Sequence, residues 1–176
     1  SLYPEGPAIC HNVVVHPPAG IAGGDVLQLD ATLDAGSHAL LTTPGATRFY
    51  RSQGELAQQR VCIDAAENTR LEWLPQETIC HPETLAENRL RFVLAPGAEM
   101  IGWDVLALGL PASGEPFTAG RVTQQIELPG VWLERGTVDG RDTLLLNSPL
   151  GWDGQRVLAT LWFSAGSAIA PARQEA

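Results

Sequence analysis

The dominant pattern along the chain is alternation of apolar and polar residues, which is typical of half-buried β-strands. In Val26–Leu33 the apolar side chains occupy every second position, and the same alternation recurs over 88–94 and 120–128. In the last of these segments Gln124 shares the apolar face. The segment 157–163 is more uniformly apolar, so we expect a strand that is covered on both faces.

Helical patterns are scarce. Only 55–60, 82–88 and 171–176 have the composition of a short helix, and thirteen prolines and eighteen glycines interrupt the remainder. This composition indicates a mainly β protein with few short helices.

A strand end followed by a turn recurs about every 30 residues, at 33–36, 63–66 and 94–97, and another strand follows each turn. Recurrence of one unit predicts layered, β-helix-like stacked sheets, although so common a strand ending also arises by chance. We expect 1–176 to form a single β-rich domain. Because the chain does not begin with Met, we expect it to be the central portion of a longer protein, without its N- and C-terminal extensions.

Composition narrows the functional classes. Apolar residues make up 44% of the 176 residues and charged residues 18%, which is typical of a globular chain. The net charge of −9 argues against nucleic-acid binding, because phosphate neutralisation needs a basic surface. It is compatible with a basic partner or a route for a cation. Three cysteines indicate a reducing compartment, and we expect no membrane-spanning segment.

Two linking segments are rich in backbone constraint. The segment 16–25 contains two adjacent prolines and the pair Gly23-Gly24, and it places Asp25 at the start of an apolar strand. A second segment, 41–47, has Pro-Gly before Ala46 and Thr47. Both are poor in charge, so they favour a surface or a channel over a catalytic triad.

The soft and borderline metal ligands form two Cys-His pairs, Cys10-His11 and Cys80-His81. Together they could suit nickel, zinc or copper if the fold brought them close. Adjacent residues on a strand face opposite ways, however, and free cysteine is usually a small core residue. These four residues are therefore the weaker metal candidates.

Carboxylates within apolar strands are the stronger candidates. Asp104 lies within 101–106, and Glu134 follows Val131-Trp132-Leu133. A charge in such a strand must be paired, hydrated or functional. One interpretation is ion pairing, and another is a set of oxygen ligands along a wet passage for a divalent cation. A third is a β-solenoid hydrolase with Asp104 and Glu134 as its carboxylate pair.

Several motifs occur in an order that is much more specific than any one of them. They are Leu-Tyr-Pro-Glu-Gly-Pro at 2–7, Cys-His at 10–11, the segments 16–25, 41–52 and 71–77, Gly-Trp-Asp at 102–104 and Trp-Leu-Glu-Arg at 132–135. Over nearly its whole length the chain closely resembles the UreD family of urease accessory proteins, called UreH in some bacteria. One departure is Leu110, where the family commonly has Arg after Leu-Gly.

The resemblance implies a cytoplasmic, non-enzymatic scaffold for urease maturation with a layered β-helix-like fold. Such a protein binds UreF, which recruits the GTPase UreG, and docks as a hetero-oligomer onto apo-urease. Nickel would pass through an internal channel as a transient cargo. The resemblance implies Asp25, Thr47, Asp104 and Glu134 as channel-lining residues. The alternative is a purely structural adaptor that alters apo-urease conformation without contacting nickel.

Overall fold

The computed structural model describes residues 1–16 and 20–174, which form two β-sheets packed on one another, two short α-helices and a 3-10 helix at Pro111–Ser113. In chain order the elements are β1 (Cys10–Val13), β2 (Val26–Leu33), β3 (His38–Thr42), β4 (Thr47–Phe49), β5 (Ala57–Ala65), β6 (Arg70–Trp73), β7 (Thr78–Cys80), β8 (Leu85–Leu94), β9 (Glu99–Leu108), β10 (Arg121–Leu128), β11 (Trp132–Asp139), α1 (Thr143–Asn147), β12 (Val157–Ala165) and α2 (Pro171–Gln174). The predicted mainly β fold with layered, β-helix-like stacked sheets and few short helices is confirmed.

Sheet A has the strand order β1-β3-β6-β9-β7-β4, with β12 paired to β9, and sheet B has the order β11-β10-β8-β5-β2. The pairs β10–β11 and β9–β12 are antiparallel, and the other pairs are parallel. Each coil therefore runs from sheet B into sheet A, as in β2 to β3, β5 to β6 and β8 to β9.

The sequence recurrence corresponds to this stacking. Val61 pairs with Leu29 in the preceding coil and with Leu90 in the following coil, each about 30 residues away. The recurring segments are the turns between the sheets. Gly36 and Asn68 take positive φ there, with angles of 74° and 57°. Their backbone N–H groups donate to the carbonyl oxygens of Glu67 and Pro96 in the next turn, so the turns stack as the strands do.

The predicted helices over 55–60 and 82–88 are wrong. Residues 57–60 belong to β5, and residues 85–88 belong to β8. Each of these strands pairs on both sides within sheet B, and the backbone pairing outweighs local helix propensity. The predicted C-terminal helix is confirmed over Pro171–Gln174, and residues 175 and 176 lie outside the described part. Helix α1 was not predicted; its N-cap, Asp142, accepts a hydrogen bond from the backbone N–H of Leu145 at 2.9 Å.

The prediction that 157–163 is covered on both faces is wrong for the described chain. Strand β12 lies along β9 at one side of sheet A, and only one of its faces meets sheet B. The other face remains exposed because the fold has two layers. We call this surface the apolar face; it consists of Ile101, Trp103, Val157, Leu161 and Phe163, and Leu161 is 68% exposed.

The core between the sheets divides into two apolar clusters. One contains an aromatic stack in which Phe92 lies between Trp73 and Trp162, with ring centroids 5.9 and 5.8 Å apart. The other contains Phe49 and Leu106 together with other buried side chains. Along β5, β8 and β10 the inward side chains belong first to the second cluster and then, after one polar position, to the first cluster.

Gly102 is required by the close approach of Trp162. A Cβ at this position would lie 2.4 Å from Cζ2 of the indole ring. We expect Gly102→Ala to lower the free energy of unfolding by about 1–3 kcal/mol through overpacking, measured by urea denaturation. Gly136→Ala is the matched control, because its Cβ would meet nothing within 4 Å. Equal destabilisation by both variants would contradict the described packing.

Candidate functional site

A line of inward-facing polar side chains separates the two apolar clusters. Gln59, Asn88 and Gln124 pair in register across β5, β8 and β10, so their side chains share one interior layer of sheet B. Asp104 faces them from β9. We call the whole line the polar seam; its members are Thr47, Gln59, Thr78, Asn88, Asp104, Gln124, Glu134 and Thr160.

Asp104 is the central group of the polar seam and only 4% exposed. Its Oδ1 accepts a hydrogen bond from Nδ2 of Asn88 at 3.3 Å, and its Oδ2 accepts one from Nε2 of Gln124 at 2.5 Å. Nε2 of Gln59 donates in turn to Oδ1 of Asn88 at 3.1 Å. A single carboxylate is therefore held by neutral amides, without a cationic side chain among its hydrogen-bond donors in the described residues.

Burial raises the pKa of the Asp104 carboxyl to about 6, and the nearby carboxylate of Glu134 acts in the same direction. The hydrogen bonds from Gln124 and Asn88 lower the pKa but do not offset the loss of hydration. A carboxylate whose ionised form is this poorly stabilised gains more than an exposed one when a cation replaces the missing solvation.

Glu134 extends the polar seam to the last strands of the stack. It lies on β11, and its Oε1 accepts a hydrogen bond from Oγ1 of Thr160 on β12 at 3.3 Å. Thr160 is the direct cross-strand neighbour of Asp104. Thr160 therefore links the two carboxylates predicted from sequence: it is paired with Asp104 along the backbone, and its hydroxyl donates to Glu134.

A cavity of about 240 Å³ opens toward Asp104 from the side of the earlier coils. Thr47, Gln59, Thr78 and Asp104 contribute its polar lining, and Trp73 contributes aromatic surface. Segments 14–16 and 43–47 line the same cavity. Two of the residues predicted from sequence, Thr47 and Asp104, thus line the same cavity.

Two buried polar atoms of the cavity and the polar seam lack a hydrogen-bond partner among the described residues. They are Nε1 of Trp73, a residue that lines the cavity, and Oε1 of Gln124. Buried polar groups are normally hydrogen-bonded, and leaving one unsatisfied costs about 1–3 kcal/mol. The chemistry of these groups suits an interior that water or a hydrated ion enters.

Asp25 lies apart from this cavity lining. It is exposed, its Oδ2 accepts a hydrogen bond from the backbone N–H of Ala22 at 3.0 Å, and it closes the turn that precedes β2. Pro17, Pro18 and Ala19 in the same link lie outside the described residues. A contact between Asp25 and a moving metal ion stays a prediction.

The structure distributes the Cys-His pairs over different strands. Cys10 and His11 lie on β1, and His11 contacts Glu5 at 2.8 Å. Cys80 lies on β7, where burial raises the pKa of its thiol, while burial lowers the pKa of His81. Within 1–16 and 20–174 there is no group of three or more His, Cys, Asp or Glu side chains placed to hold a metal ion.

The amide members of the polar seam were missed as site residues. Gln59, Asn88 and Gln124 each occupy an inward position between apolar neighbours on an alternating strand. That pattern is the available signal, because a polar residue on the apolar face of a strand must have a buried partner. Their common depth depends on the register between coils, which the sequence pattern leaves open.

Known protein sequences resemble this chain over nearly all of its length. The family model described as UreD urease accessory protein matches residues 1–176. A protein of Leptothrix cholodnii is 62% identical over 168 residues, which are 96% of this chain and 60% of that protein. A protein of Variovorax paradoxus is 60% identical over all of this chain and 64% of its own length. Both are named urease accessory protein UreD.

The chain spans less than two thirds of the length of these curated relatives. Their names describe accessory proteins rather than enzymes. None of the helices in the described residues has the length and apolar character needed to cross a bilayer. The match along the whole chain and the high identity show that this chain belongs to the UreD family of urease accessory proteins.

Proposed function

We propose that this protein is a urease maturation factor that passes nickel to the urease active site along the polar seam. The observation that carries this proposal is the buried Asp104 carboxylate beside a cavity, held by neutral amides. Nickel is a transient cargo here rather than a resident cofactor.

The donor set suits transfer better than storage. Thr47, Asp104, Glu134 and the seam amides offer oxygen atoms, whereas the buried Cys80 thiol is held protonated by its raised pKa. Imidazole and thiolate ligands bind late first-row divalent ions tightly, and a few oxygen ligands bind them weakly. An ion that loses part of its hydration at Asp104 therefore meets a site that attracts it and still releases it.

The direction of the seam supports a passage. It runs from the cavity beside β4 and β7, past Asp104 on β9, to Glu134 and Thr160 on the last two strands. Successive strands contribute successive polar groups, so an ion moving along the stacking direction meets an oxygen donor on each coil.

The same proposal includes the partners that the family resemblance implies. The protein would act in the cytoplasm as part of a hetero-oligomer, binding UreF, through it the GTPase UreG, and apo-urease. Its net charge of −9 disfavours nucleic acid as a partner.

A second candidate is a purely structural adaptor that changes apo-urease conformation without contacting nickel. The apolar face favours some adaptor function, because contiguous exposed apolar residues mark surfaces that another polypeptide covers. The two candidate functions differ in whether nickel passes through the interior of the protein. The test must therefore alter the interior and leave the surface unchanged.

Thr47→Leu alters the cavity lining without changing charge. A leucine fills part of the space and removes an oxygen donor, so we expect the nickel content of urease activated with this variant to fall at least several-fold. Nickel per urease is measured by elemental analysis after co-expression, and copurification of UreF and urease should remain unchanged.

Thr137→Leu is the matched control, since Thr137 lies exposed on the outer side of β11. It should leave the nickel content unchanged. Normal nickel content with Thr47→Leu and Asp104→Asn, with complexes intact, would reject the passage and support the adaptor.

A further inference from the structure

Gln124 uses only one half of its side-chain amide within the protein. Its Nε2 donates to Oδ2 of Asp104 at 2.5 Å. Its Oε1 is buried and has no hydrogen-bond donor among the described residues. A buried carbonyl oxygen without a donor is costly, and an acceptor of this kind in a side chain that contacts a carboxylate is available as a ligand for a cation.

Asn88 presents a related arrangement on the neighbouring strand. It is 1% exposed, and its hydrogen bond to Oδ1 of Asp104 is long, at 3.3 Å. Its own Oδ1 accepts from Gln59 at 3.1 Å. Rotation of the Asn88 amide about its last torsion exchanges the nitrogen and oxygen, so either atom can face Asp104.

We propose that Gln124 and Asn88 are oxygen ligands that hold a divalent cation against Asp104. This inference rests on the passage proposed above and adds the residues that bind the ion at its narrowest layer. Without the cation the two amides donate to the carboxylate; with it, their oxygens turn to the metal.

Charge explains why amides suit this position. Asp104 alone neutralises half of a divalent charge, and Glu134, the nearest further carboxylate of the seam, lies toward the next strands. Neutral amide oxygens add ligands without adding charge, so the ion remains partly unneutralised and can move on. A third carboxylate in the same layer would instead hold it.

The composition of the layer also explains why the described residues contain no cluster of His, Cys, Asp and Glu. Amide oxygens are ordinary ligands of hard cations. One carboxylate and two amides therefore suffice for a weak oxygen site without a further His, Cys, Asp or Glu side chain.

The test uses Ni²⁺ alone as the probe and the purified chain at pH 7.5, with binding measured by equilibrium dialysis. Gln124→Leu removes the oxygen and should weaken binding about tenfold, equivalent to about 1.4 kcal/mol. Gln124→Glu preserves the shape and adds charge, and it should tighten binding at least about tenfold.

Gln125→Leu is the matched control, because Gln125 is the next residue on β10 and contacts Glu127 on the outer side of the sheet. It should bind Ni²⁺ as the native chain does. Circular dichroism confirms that each variant is folded, and Gln124→Glu keeps the question decidable if Gln124→Leu does not fold.

A crystal structure with Ni²⁺ gives the direct readout. We expect Oε1 of Gln124 and one Asp104 oxygen at about 2.0–2.2 Å from the metal, as for oxygen ligands of similar ions. Nickel on Asp104 with the Gln124 amide nitrogen still facing the carboxylate would overturn the inference, as would unchanged binding in both Gln124 variants. If Asp104→Asn delivers nickel normally, the proposed passage itself fails. If Asp104→Asn does not deliver nickel but the Gln124 variants bind Ni²⁺ as the native chain does, the passage stands without these ligands.

Discussion

Asp104→Asn should stabilise the protein and abolish nickel delivery. The carboxyl has a pKa of about 6 in the folded chain, against an ordinary value of 3.8. Between these values the folded state binds more protons than the unfolded state, so the stability of the native chain falls as pH rises from about 4 to about 6. Two pKa units correspond to about 3 kcal/mol, which the asparagine variant regains at neutral pH.

The stability gain has a defined pH dependence. At pH 7.5 the free energy of unfolding of Asp104→Asn should exceed that of the native chain by about 2–3 kcal/mol. The difference should shrink below pH 6 and disappear below about pH 3, where both folded and unfolded carboxyls are protonated. Urea denaturation over this pH range measures it, provided that both proteins unfold in one step.

The functional loss should accompany that gain. Without the carboxylate the seam has no charge at its central layer, so we expect the nickel content of co-expressed urease to fall at least tenfold while UreF and urease still copurify. Asp64→Asn, an exposed carboxylate on the outer side of β5, is the control and should change stability by less than about 0.5 kcal/mol. A destabilised Asp104→Asn would mean that the carboxylate is paired in the folded protein.

Phe92→Ala should lower the free energy of unfolding strongly, whereas Asp104→Asn should raise it. Phe92 is fully buried between Trp73 of sheet A and Trp162 of β12, so it connects β8 of sheet B to both. Removing the ring leaves a cavity that these large neighbours cannot fill, and we expect a loss of about 3–5 kcal/mol in the free energy of unfolding.

Phe163→Ala is the control for this prediction. Phe163 has the same side chain but lies half exposed on the apolar face, with the Arg173 guanidinium 5.8 Å from its ring centroid. Its loss should cost less than about 1 kcal/mol. If urea denaturation gave equal losses for the two variants, Phe92 would not be the connection between the sheets that its position indicates.

The two substitutions separate the functions of neighbouring interior layers. Phe92 belongs to the apolar cluster that holds the sheets together, whereas Asp104 belongs to the polar seam beside it. If Asp104→Asn raises stability and removes nickel delivery, the chain keeps an energetically unfavourable carboxylate because its function requires it. A core substitution cannot show this, because it impairs folding and function together.

Sequence reasoning succeeded where the relevant interactions repeat locally. Alternation in Val26–Leu33 and in 88–94 corresponds to observed strands. It failed at 55–60 and 82–88, where short polar segments with helix-like composition are held as strands by neighbours from other coils. It also failed on the cover of 157–163, because which face of an apolar strand meets a second layer depends on its place in the sheet.

The residues of the candidate site likewise fall into those that the sequence revealed and those that it did not. Asp104 was identifiable because a carboxylate in an apolar strand is conspicuous, and Thr47 because of a family motif. The amides of Gln59, Asn88 and Gln124 are unremarkable one at a time. Only their register places them in one layer around Asp104.

The sequence by itself determined the β-rich class, the coil repeat and membership of the UreD family, because alternation and ordered motifs are local properties of the chain. The tertiary structure decided which polar groups meet, that Asp25 closes an exposed turn and that Asp104 lies beside a cavity. The physical reason is that the polar groups of the seam come from different coils. The distance between those groups is set by parallel pairing between strands about 30 residues apart, which local pattern cannot encode.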